Sequence, residues 1–429
     1  MAELIPKALV SSEIGTLRHV LVHRPGAEVD HMPPQQMHQW LFDDILYGPR
    51  SRREHDRFCE VLAHEGVIVS DFQSLLKECL EGTWDRRSEI LRGVLEVEGE
   101  PPLLERCCAM DSEQLAQVLI TGFEPSSPPE VSDGVEGLIP IPNLLFCRDP
   151  QFMLGDSIYI SRMRHEIRSR ESRLSHYLFS CHPMLNRTRS GIDFNSIADG
   201  MGPAINIEGG DVLVLAEGIV VVGLSQRTTR AAADLLMDQL REGGHFRAVI
   251  MVPMPQVRHA MHLDTIFTRI AEDECLVYAP MVLSGGSESL EVISCDIRGS
   301  TIDQRTHAGL LEALASHGVS LKPLYCGGST DLIHQSREQW TDGANAFAIA
   351  PGRIMLYERN ERTVEELDRH GYEIIPVRHL PADASAWPAF DGGSGGKVAF
   401  VLESAELSRA RGGPRCMTSP LTRDPLHAL

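Results

Sequence analysis

IEGGDVLVLAEGIVVVGLSQRT, residues 207–228, contains two apolar runs that flank a turn at Glu217-Gly218. Both runs are rich in β-branched residues and are bounded by glycine and polar residues, a pattern that predicts a β-hairpin. Glu208 and Asp211 stand immediately before the first run. The stretch therefore predicts a hairpin with acidic side chains at the entrance to its first strand.

The same plan recurs along the chain. Further hairpins are predicted at 143–163 with a turn at Gly155-Asp156, at 261–280 with a turn near Glu272-Asp273, and at 342–360 with a turn at Pro351-Gly352, while 18–26 resembles part of another. Helical patterns at 228–244 and 362–371 follow two of these hairpins. Repeated strand–hairpin–helix units indicate repeats around a centre, each with its leading polar residues directed inward. The alternative is an ordinary α/β sheet whose hairpins resemble each other by coincidence.

A different pattern occupies residues 72–125. Two helix-like stretches are separated by the sequence EGEPP at 98–102, and the loop SSPPEVSDG follows at 126–134. We predict a small inserted helical domain at 72–125. The catalytic α/β domain then consists of 1–71 and 126–429.

Composition limits the classes of partner. The chain has 429 residues, 42% of them hydrophobic, and a formal net charge of −20, which argues against nucleic acid or an anionic membrane surface as a partner. The most apolar run, 212–224, is interrupted by Glu217 and is too short to cross a bilayer. We see no signal peptide, and ten cysteines without a CxxC pair suit a reducing compartment, so we expect a cytoplasmic protein.

The stretch RGGPRCMTSP, residues 411–420, places Cys416 among arginines and glycines instead of apolar residues. Nearby cations favour a thiolate, and glycines allow a loop to approach a ligand closely. His262 and Asp264 in MHLDT are two residues apart, so both would face one side of a strand. Taken singly, a histidine such as His262 is more often structural than catalytic, and an aspartate before proline, such as Asp149, is commonly a turn residue.

Several acidic residues around a thiol would suppress ionisation of the thiol unless a cation enters the site. A guanidinium is such a cation, because it is planar, always charged and matched to bidentate carboxylates. The sequence therefore favours a site in which carboxylates hold a guanidinium while Cys416 attacks its carbon and His262 transfers protons.

Six segments together resemble the arginine deiminase family, within the guanidino-group-modifying enzymes. They are PNLLFCRDP, INIEGGDV, GLSQRT, MHLDTIFT, REQWTDGAN and ELSRARGGPRCMTSP, and they cover nearly the whole chain in family order. The resemblance implies a pseudo-fivefold α/β propeller with an inserted helical domain. It also implies hydrolysis of L-arginine to L-citrulline and ammonia, with no cofactor and no metal, by a protein that we expect to be a homo-oligomer.

The resemblance also implies residue roles. Cys416 would be the nucleophile and His262 the general acid and base, while Asp149 and Asp264 would clamp the guanidinium with help from Glu208. Five further positions match substrate-binding residues, with the arginines placed at the α-carboxylate end: Asn143, Phe146, Arg168, Arg227 and Arg411.

The chain departs from the family pattern at two places. Cys147 stands where threonine is common, either as a neutral substitution or as an oxidisable thiol next to Asp149. A stretch at 381–402 is inserted before the Cys416 loop. Its large residues Trp387, Phe390 and Phe400 lead us to predict a flap whose aromatic side chains pack near the mouth of the site, with a tolerated surface loop as the alternative.

Two other functions remain as alternatives. An amidinotransferase would use similar thiol chemistry but would pass the amidino group to an amine. A non-catalytic arginine-binding protein on the same fold would be marked by loss of Cys416 or His262, and both residues are present.

Overall fold

The computed structural model describes residues 7–95, 101–122, 138–197, 204–393 and 396–426. Within these ranges the strands are β1 (Leu17–Val22), β2 (Ile68–Asp71), β3 (Gln151–Leu154), β4 (Ser157–Ile160), β5 (Arg189–Asp193), β6 (Val212–Ala216), β7 (Ile219–Leu224), β8 (Ala248–Pro253), β9 (Phe267–Arg269), β10 (Glu274–Val277), β11 (Val292–Asp296), β12 (Asp303–His307), β13 (Lys322–Tyr325), β14 (Phe347–Ala350), β15 (Arg353–Tyr357), β16 (Glu373–Pro376), β17 (Val398–Leu402) and β18 (Ser419–Arg423). The helices are α1 (Ala27–Asp30), α2 (Gly48–His64), α3 (Phe72–Gly82), α4 (Arg87–Val94), α5 (Pro101–Cys108), α6 (Ser112–Thr121), α7 (Ser169–Cys181), α8 (Arg230–Gly243), α9 (Ala279–Val282), α10 (Leu310–Ser316), α11 (Leu332–Trp340) and α12 (Glu361–Arg369). The fold is mixed α/β.

The four predicted hairpins are confirmed as antiparallel pairs: β3 with β4, β6 with β7, β9 with β10, and β14 with β15. Each turns at the predicted residues, and glycines with positive φ at Gly155, Gly218 and Gly352 explain three of these turns, because a left-handed backbone favours glycine. The stretch at 18–26 contributes β1, which pairs with β18 from the other end of the chain.

The predicted helices at 228–244 and 362–371 are confirmed as α8 and α12. The side chain of Thr229 accepts the backbone N–H of Ala232 at the start of α8, and Gly244 ends the helix in the left-handed conformation. Both features are standard terminal signals, and they explain why this helix could be predicted closely.

The described strands form five sheets, with the orders β18-β1-β2, β3-β4-β5, β12-β11-β8-β7-β6, β13-β10-β9 and β14-β15-β17-β16. One edge strand in each sheet begins two to four residues after a polar residue or cysteine. These residues are Asp149 before β3, Glu208 before β6, Asp264 before β9, Asn345 before β14 and Cys416 before β18. Every sheet therefore delivers one such side chain at the entrance to an edge strand.

The stretch predicted to be helical contains α3, α4, α5 and α6. Buried residues of these helices, such as Leu76 and Leu115, belong to the same hydrophobic cluster as Phe152 of β3 and Val222 of β7. The helices therefore pack directly on the sheets, and the division into a catalytic and an inserted domain stays a prediction.

The predicted flap has a different structure. β17 lies between β15 and β16, with parallel pairing on both sides, so the end of the inserted stretch is a central strand. Trp387 is buried and lies under the guanidinium of Arg57, 4.8 Å from the ring centroid, while Phe390 contacts the rings of His64 and Phe400. The prediction that these aromatic side chains pack near the site is wrong, because they pack against α2 and the neighbouring sheet.

Within the described ranges, no helix combines the length and apolar character needed to cross a bilayer.

Candidate active site

A small pocket lies where the entrances to the edge strands meet. Eight of the residues predicted to form the site line it: Asn143, Phe146, Asp149, Arg168, Arg227, His262, Arg411 and Cys416. Glu208 and Asp264 contact this group from behind, through His262 and Cys416 respectively. The structure thus brings together all ten residues from distant parts of the sequence.

His262 lies between two carboxylates. Its Nε2 is 2.9 Å from Oε2 of Glu208, and its Nδ1 is 3.7 Å from Oδ1 of Asp149. Burial alone would lower the pKa of His262, but the two carboxylates outweigh burial and raise it to about 9. The imidazole is therefore protonated at neutral pH and can act as a general acid.

Glu208 is fully buried, and burial would raise its pKa, but Arg227 and His262 hold it below its ordinary value. Its Oε1 accepts the backbone N–H of Arg164 at 3.0 Å, and Oε2 also accepts Arg227 Nη1 at 3.3 Å. Glu208 is consequently an ionised partner that keeps His262 charged.

The strand predicted for His262 and Asp264 is absent from the described structure. His262 precedes a single 3₁₀ turn, Leu263–Thr265, that contains Asp264. Asp211 fixes this turn, because its Oδ1 accepts the backbone N–H of Leu263 at 2.9 Å and its Oδ2 accepts the Ser225 hydroxyl at 2.6 Å. The two side chains are brought to the site by a capped turn and not by strand alternation.

Asp149 is buried and holds only one of its oxygens in a hydrogen bond. Oδ2 accepts Arg168 Nη1 at 2.8 Å, and Arg168 is in turn held by both oxygens of Glu171. Asp149 Oδ1 has no hydrogen-bond partner among the described residues. A buried carboxylate oxygen without a donor is unfavourable by itself, so this atom is suited to a ligand N–H.

Asp264 shows the same arrangement with different residues. Its Oδ2 accepts Arg415 Nη1 at 2.6 Å, and Nε of Arg415 donates to Oε2 of Glu13 at 3.0 Å. Asp264 Oδ1 is likewise buried without a hydrogen-bond partner in the described part of the chain. The two aspartates therefore each present one open oxygen.

Cys416 is held by its backbone as well as by its side chain. Its N–H donates to Oδ1 of Asn345 at 3.1 Å, while Asn345 Nδ2 donates to the carbonyl of Asp264 at 3.0 Å. A side chain at Gly412 would overlap the ring of Phe146, and one at Gly413 would overlap Asn345. The two glycines are thus required by close packing of the loop that carries the nucleophile.

The Cys416 sulfur lies 3.8 Å from Asp264 Oδ2. Burial raises the pKa of the thiol well above its ordinary value, the carboxylates of Asp264 and Asp149 add to the rise, and Arg415 opposes it. Without ligand the thiol is therefore protonated, and a cation placed beside the sulfur would favour the thiolate.

The three arginines predicted for the α-carboxylate end differ in their contacts. Arg168 donates to Asp149, Glu171 and the carbonyl of Asn143. Arg227 donates to Glu208 and retains a buried Nε without a hydrogen-bond partner within the described ranges. Arg411 adopts a left-handed backbone with φ 66°, and its guanidinium stacks on Trp340, 3.6 Å from the ring centroid.

The side chain of Asn143 donates to the carbonyl of Trp40 at 2.8 Å. Cys147 is buried and donates to the carbonyl of Leu144, and burial raises the pKa of its thiol well above the ordinary value. A buried, protonated Cys147 agrees better with a neutral substitution than with an oxidisable thiol.

Sequence reasoning missed several residues of the site. Leu41 and Arg258 line the pocket, and Arg258 Nη2 donates to Asp43 Oδ2 at 3.0 Å. Arg258 precedes His262 by four residues, so the motif could have pointed to it. Glu13 lies 402 residues before Arg415, and no local pattern could have linked the two.

One cluster has a spacing that could hold a metal ion: Asp149, Glu208 and His262 offer ligand atoms within 4.8 Å of one another. Arg168 and Arg227 already form ion pairs with these carboxylates, so the cluster is arranged around cationic side chains. The expectation of a metal-free reaction stays a prediction.

Known proteins with similar sequences include several arginine deiminases. The family model described as arginine deiminase matches residues 38–423. An arginine deiminase of Pediococcus pentosaceus is 32% identical, with 97% of this chain and 98% of that protein covered. An arginine deiminase of Bacillus cereus is 33% identical, with 96% and 98% covered.

Solved structures with a similar fold are more distant in sequence. SxtG, an amidinotransferase from Microseira wollei, has a TM-score of 0.52 at 13% identity, with 99% of both chains covered. The N-terminal domain of ArgZ, an arginine dihydrolase from cyanobacteria, has a TM-score of 0.50 at 13% identity, with 95% of this chain and 99% of that chain covered. These likenesses show the shared fold. The match over most of the sequence shows that this chain belongs to the arginine deiminase family.

Proposed function

We propose that this protein hydrolyses L-arginine to L-citrulline and ammonia through a covalent intermediate on Cys416. One observation carries the proposal: among the described residues, Asp149 and Asp264 each keep one buried carboxylate oxygen without a hydrogen-bond donor, next to a cysteine and a protonated histidine. A guanidinium supplies the N–H donors that both oxygens need, and its charge offsets theirs.

Substrate binding prepares the nucleophile. The incoming guanidinium brings a positive charge to a thiol whose pKa burial and carboxylates have raised. The charge favours the thiolate at the moment when the carbon to be attacked is in place. The clamp thus couples recognition of the guanidinium to activation of Cys416.

The reaction then proceeds in two halves. As the guanidinium binds, the Cys416 thiol releases its proton to solvent. The thiolate adds to the guanidinium carbon, and His262 protonates the departing nitrogen, which leaves as ammonia. The adduct keeps the whole carbon chain of the substrate. In the second half, neutral His262 takes a proton from water, the hydroxyl adds to the same carbon, and the carbon–sulfur bond breaks to release citrulline.

The far end of the substrate is an amino acid, and its carboxylate requires cations. Arg227 and Arg411 line the pocket and serve this role together with Arg168, while Asn143 and Phe146 complete the wall around the aliphatic part. Because Arg168 donates a hydrogen bond to Asp149 in this structure, it also orients that carboxylate before substrate arrives.

The resemblance extends to the architecture. We propose that the five sheets are the blades of a pseudo-fivefold propeller, supported by the edge strand that each sheet directs to the site. The helices in 72–125 are then an insertion, and the protein acts as a homo-oligomer in the cytoplasm, where ten free cysteines are compatible with reducing conditions.

An assay with arginine tests the activity. Purified protein should form citrulline and ammonia in equal amounts, and Cys416→Ser should form neither. Since the fold is also that of an amidinotransferase, ornithine and added glycine are followed in the same reaction. Formation of ornithine together with a guanidino product would show that the reaction is amidino transfer and not deimination.

A further inference from the structure

Glu13 lies shortly before β1, and its carboxylate forms an ion pair with Arg415. It is buried, and each of its two carboxylate oxygens accepts a hydrogen bond. Oε1 accepts the backbone N–H of Val214 at 3.2 Å, and Oε2 accepts Arg415 Nε at 3.0 Å. Glu13 therefore fixes Arg415 to the β6 strand.

Arg415 connects this anchor to the reacting residues. Its Nη1 donates to Asp264 Oδ2, and Cys416 Sγ lies 3.8 Å from that same oxygen. Its Nη2 donates to the carbonyl of Val212 at 3.3 Å. The three nitrogens of one planar guanidinium thus have three different partners, which leaves the group a single orientation.

The hydrogen bond to Oδ2 has two consequences. It orients the Asp264 carboxylate so that Oδ1 alone is left for a ligand. It also places a positive charge on the oxygen that faces the sulfur, and Arg415 is the charge that opposes the raised pKa of Cys416.

We propose that Glu13 and Arg415 form a positioning pair that aims Asp264 at the substrate guanidinium and shields Cys416 from the Asp264 charge. Neither residue lines the pocket. The inference rests on the proposed function, because it refines how one arm of the guanidinium clamp is held.

The direction in which the pKa of the Cys416 thiol shifts in Glu13→Gln distinguishes this positioning role from a simple effect of charge. Glu13→Gln removes a negative charge near Cys416, and by charge alone it should lower the pKa of the thiol. If Glu13 instead holds Arg415 in place, an amide with a single acceptor oxygen loosens Arg415 from Asp264, and the pKa should rise.

The experiment measures the rate of Cys416 alkylation by iodoacetamide from pH 6 to 11 in the full chain, beside kcat and KM for arginine. For Glu13→Gln we expect the alkylation midpoint to rise by about one pH unit. We also expect kcat/KM to fall roughly 10- to 100-fold, with a loss in kcat that saturating arginine does not restore. A midpoint that falls or stays unchanged overturns the proposal.

Arg415→Lys is the second variant and decides the question if Glu13→Gln does not fold. Lysine keeps the charge but has one nitrogen for three partners. We therefore expect the alkylation midpoint to rise and kcat/KM to fall, both by more than in Glu13→Gln. Wild-type kinetics in Arg415→Lys would overturn the proposal.

The matched control is Glu274→Gln. Glu274 is also a buried glutamate paired with a cation, Lys397 at 2.8 Å, but it does not line the pocket. It should lose stability without a change in the alkylation profile. If the wild type forms no citrulline, the proposed function fails, while the alkylation profiles still report on the pair.

Discussion

The two sides of the pocket have the same geometry but different charged neighbours. On one side Glu171 holds Arg168, which holds Asp149. On the other side Glu13 holds Arg415, which holds Asp264. We call these the Asp149 side and the Asp264 side. In both, a buried arginine occupies one oxygen of the aspartate and leaves the other open.

The neighbours of each side differ. The Asp149 side adds Glu208 and His262, whereas the Asp264 side adds the buried cations Arg148 and Arg423. Burial raises the pKa of Glu171 to about 7, while burial of Glu13 is outweighed by Arg415 and Arg148, so its pKa stays below the ordinary value.

This difference assigns different tasks to similar geometry. The Asp149 side contains His262, the group suited to proton transfer in the reaction. On the Asp264 side the cation Arg415 lies next to the carboxylate that contacts the sulfur and opposes the raised pKa of the Cys416 thiol.

The largest expected effect tests whether Cys416, on the Asp264 side, is the nucleophile. Cys416→Ser should lower citrulline formation at least about 10⁴-fold, because a hydroxyl is far less ionised than a thiol. Circular dichroism should show an unchanged fold. Residual activity within tenfold of the wild type would mean that a group other than Cys416 is the nucleophile.

The next pair of variants compares the sides directly. Asp149→Asn and Asp264→Asn should each lower kcat about 10²- to 10³-fold at saturating arginine, because each removes one arm of the clamp. In the alkylation assay Asp264→Asn should lower the thiol midpoint more than Asp149→Asn, since Asp264 lies 3.8 Å from the sulfur. Equal shifts would contradict the distinction between the sides.

A smaller effect tests whether Glu208, on the Asp149 side, keeps His262 protonated. Glu208→Gln removes a charge that raises the pKa of His262 to about 9, so the imidazolium should lose its proton at lower pH. Following the imidazole protons by NMR should show this downward shift. The fall of kcat/KM at high pH should move in the same direction, because the general acid is lost earlier. An unchanged titration would remove Glu208 from this role.

The smallest effect on activity concerns a region outside both sides. Trp387→Ala should cost about 3 kcal/mol of unfolding free energy, since Trp387 is buried against α2. The kinetics with arginine should stay at the wild-type level. The exposed Trp84→Ala, as a control, should cost less stability. A changed KM in Trp387→Ala would restore a link between the insertion and the site.

The sequence predicted those parts of the fold that depend on local chemistry. Hairpin turns at Gly155, Gly218 and Gly352 and the terminal signals of α8 lie within a few residues of what they determine. The inserted stretch was misread because its large aromatic residues were assigned to a flap, whereas Phe400 lies in the central strand β17. Strand position depends on partners that are distant in sequence.

The same limit applies to the site. Motifs predicted eight residues that line the pocket, and Glu208 and Asp264 behind them, but not the glutamates that hold the two arginines. Glu171 follows Arg168 by three residues and could have been paired with it from helical spacing. Glu13 could not have been paired with Arg415, because the chain ends come together through tertiary contacts such as the β1–β18 pairing.

The most direct test of the account is the identity of the group bound to Cys416 during turnover. Wild-type protein is mixed with arginine, quenched in acid within milliseconds and digested, and the peptide that contains Cys416 is weighed by mass spectrometry. We predict an adduct with the mass of arginine less ammonia, because the clamp holds the guanidinium while its carbon chain stays attached. A bare amidino group on Cys416, with ornithine released, would contradict deimination, and an unmodified Cys416 during active turnover would contradict covalent catalysis.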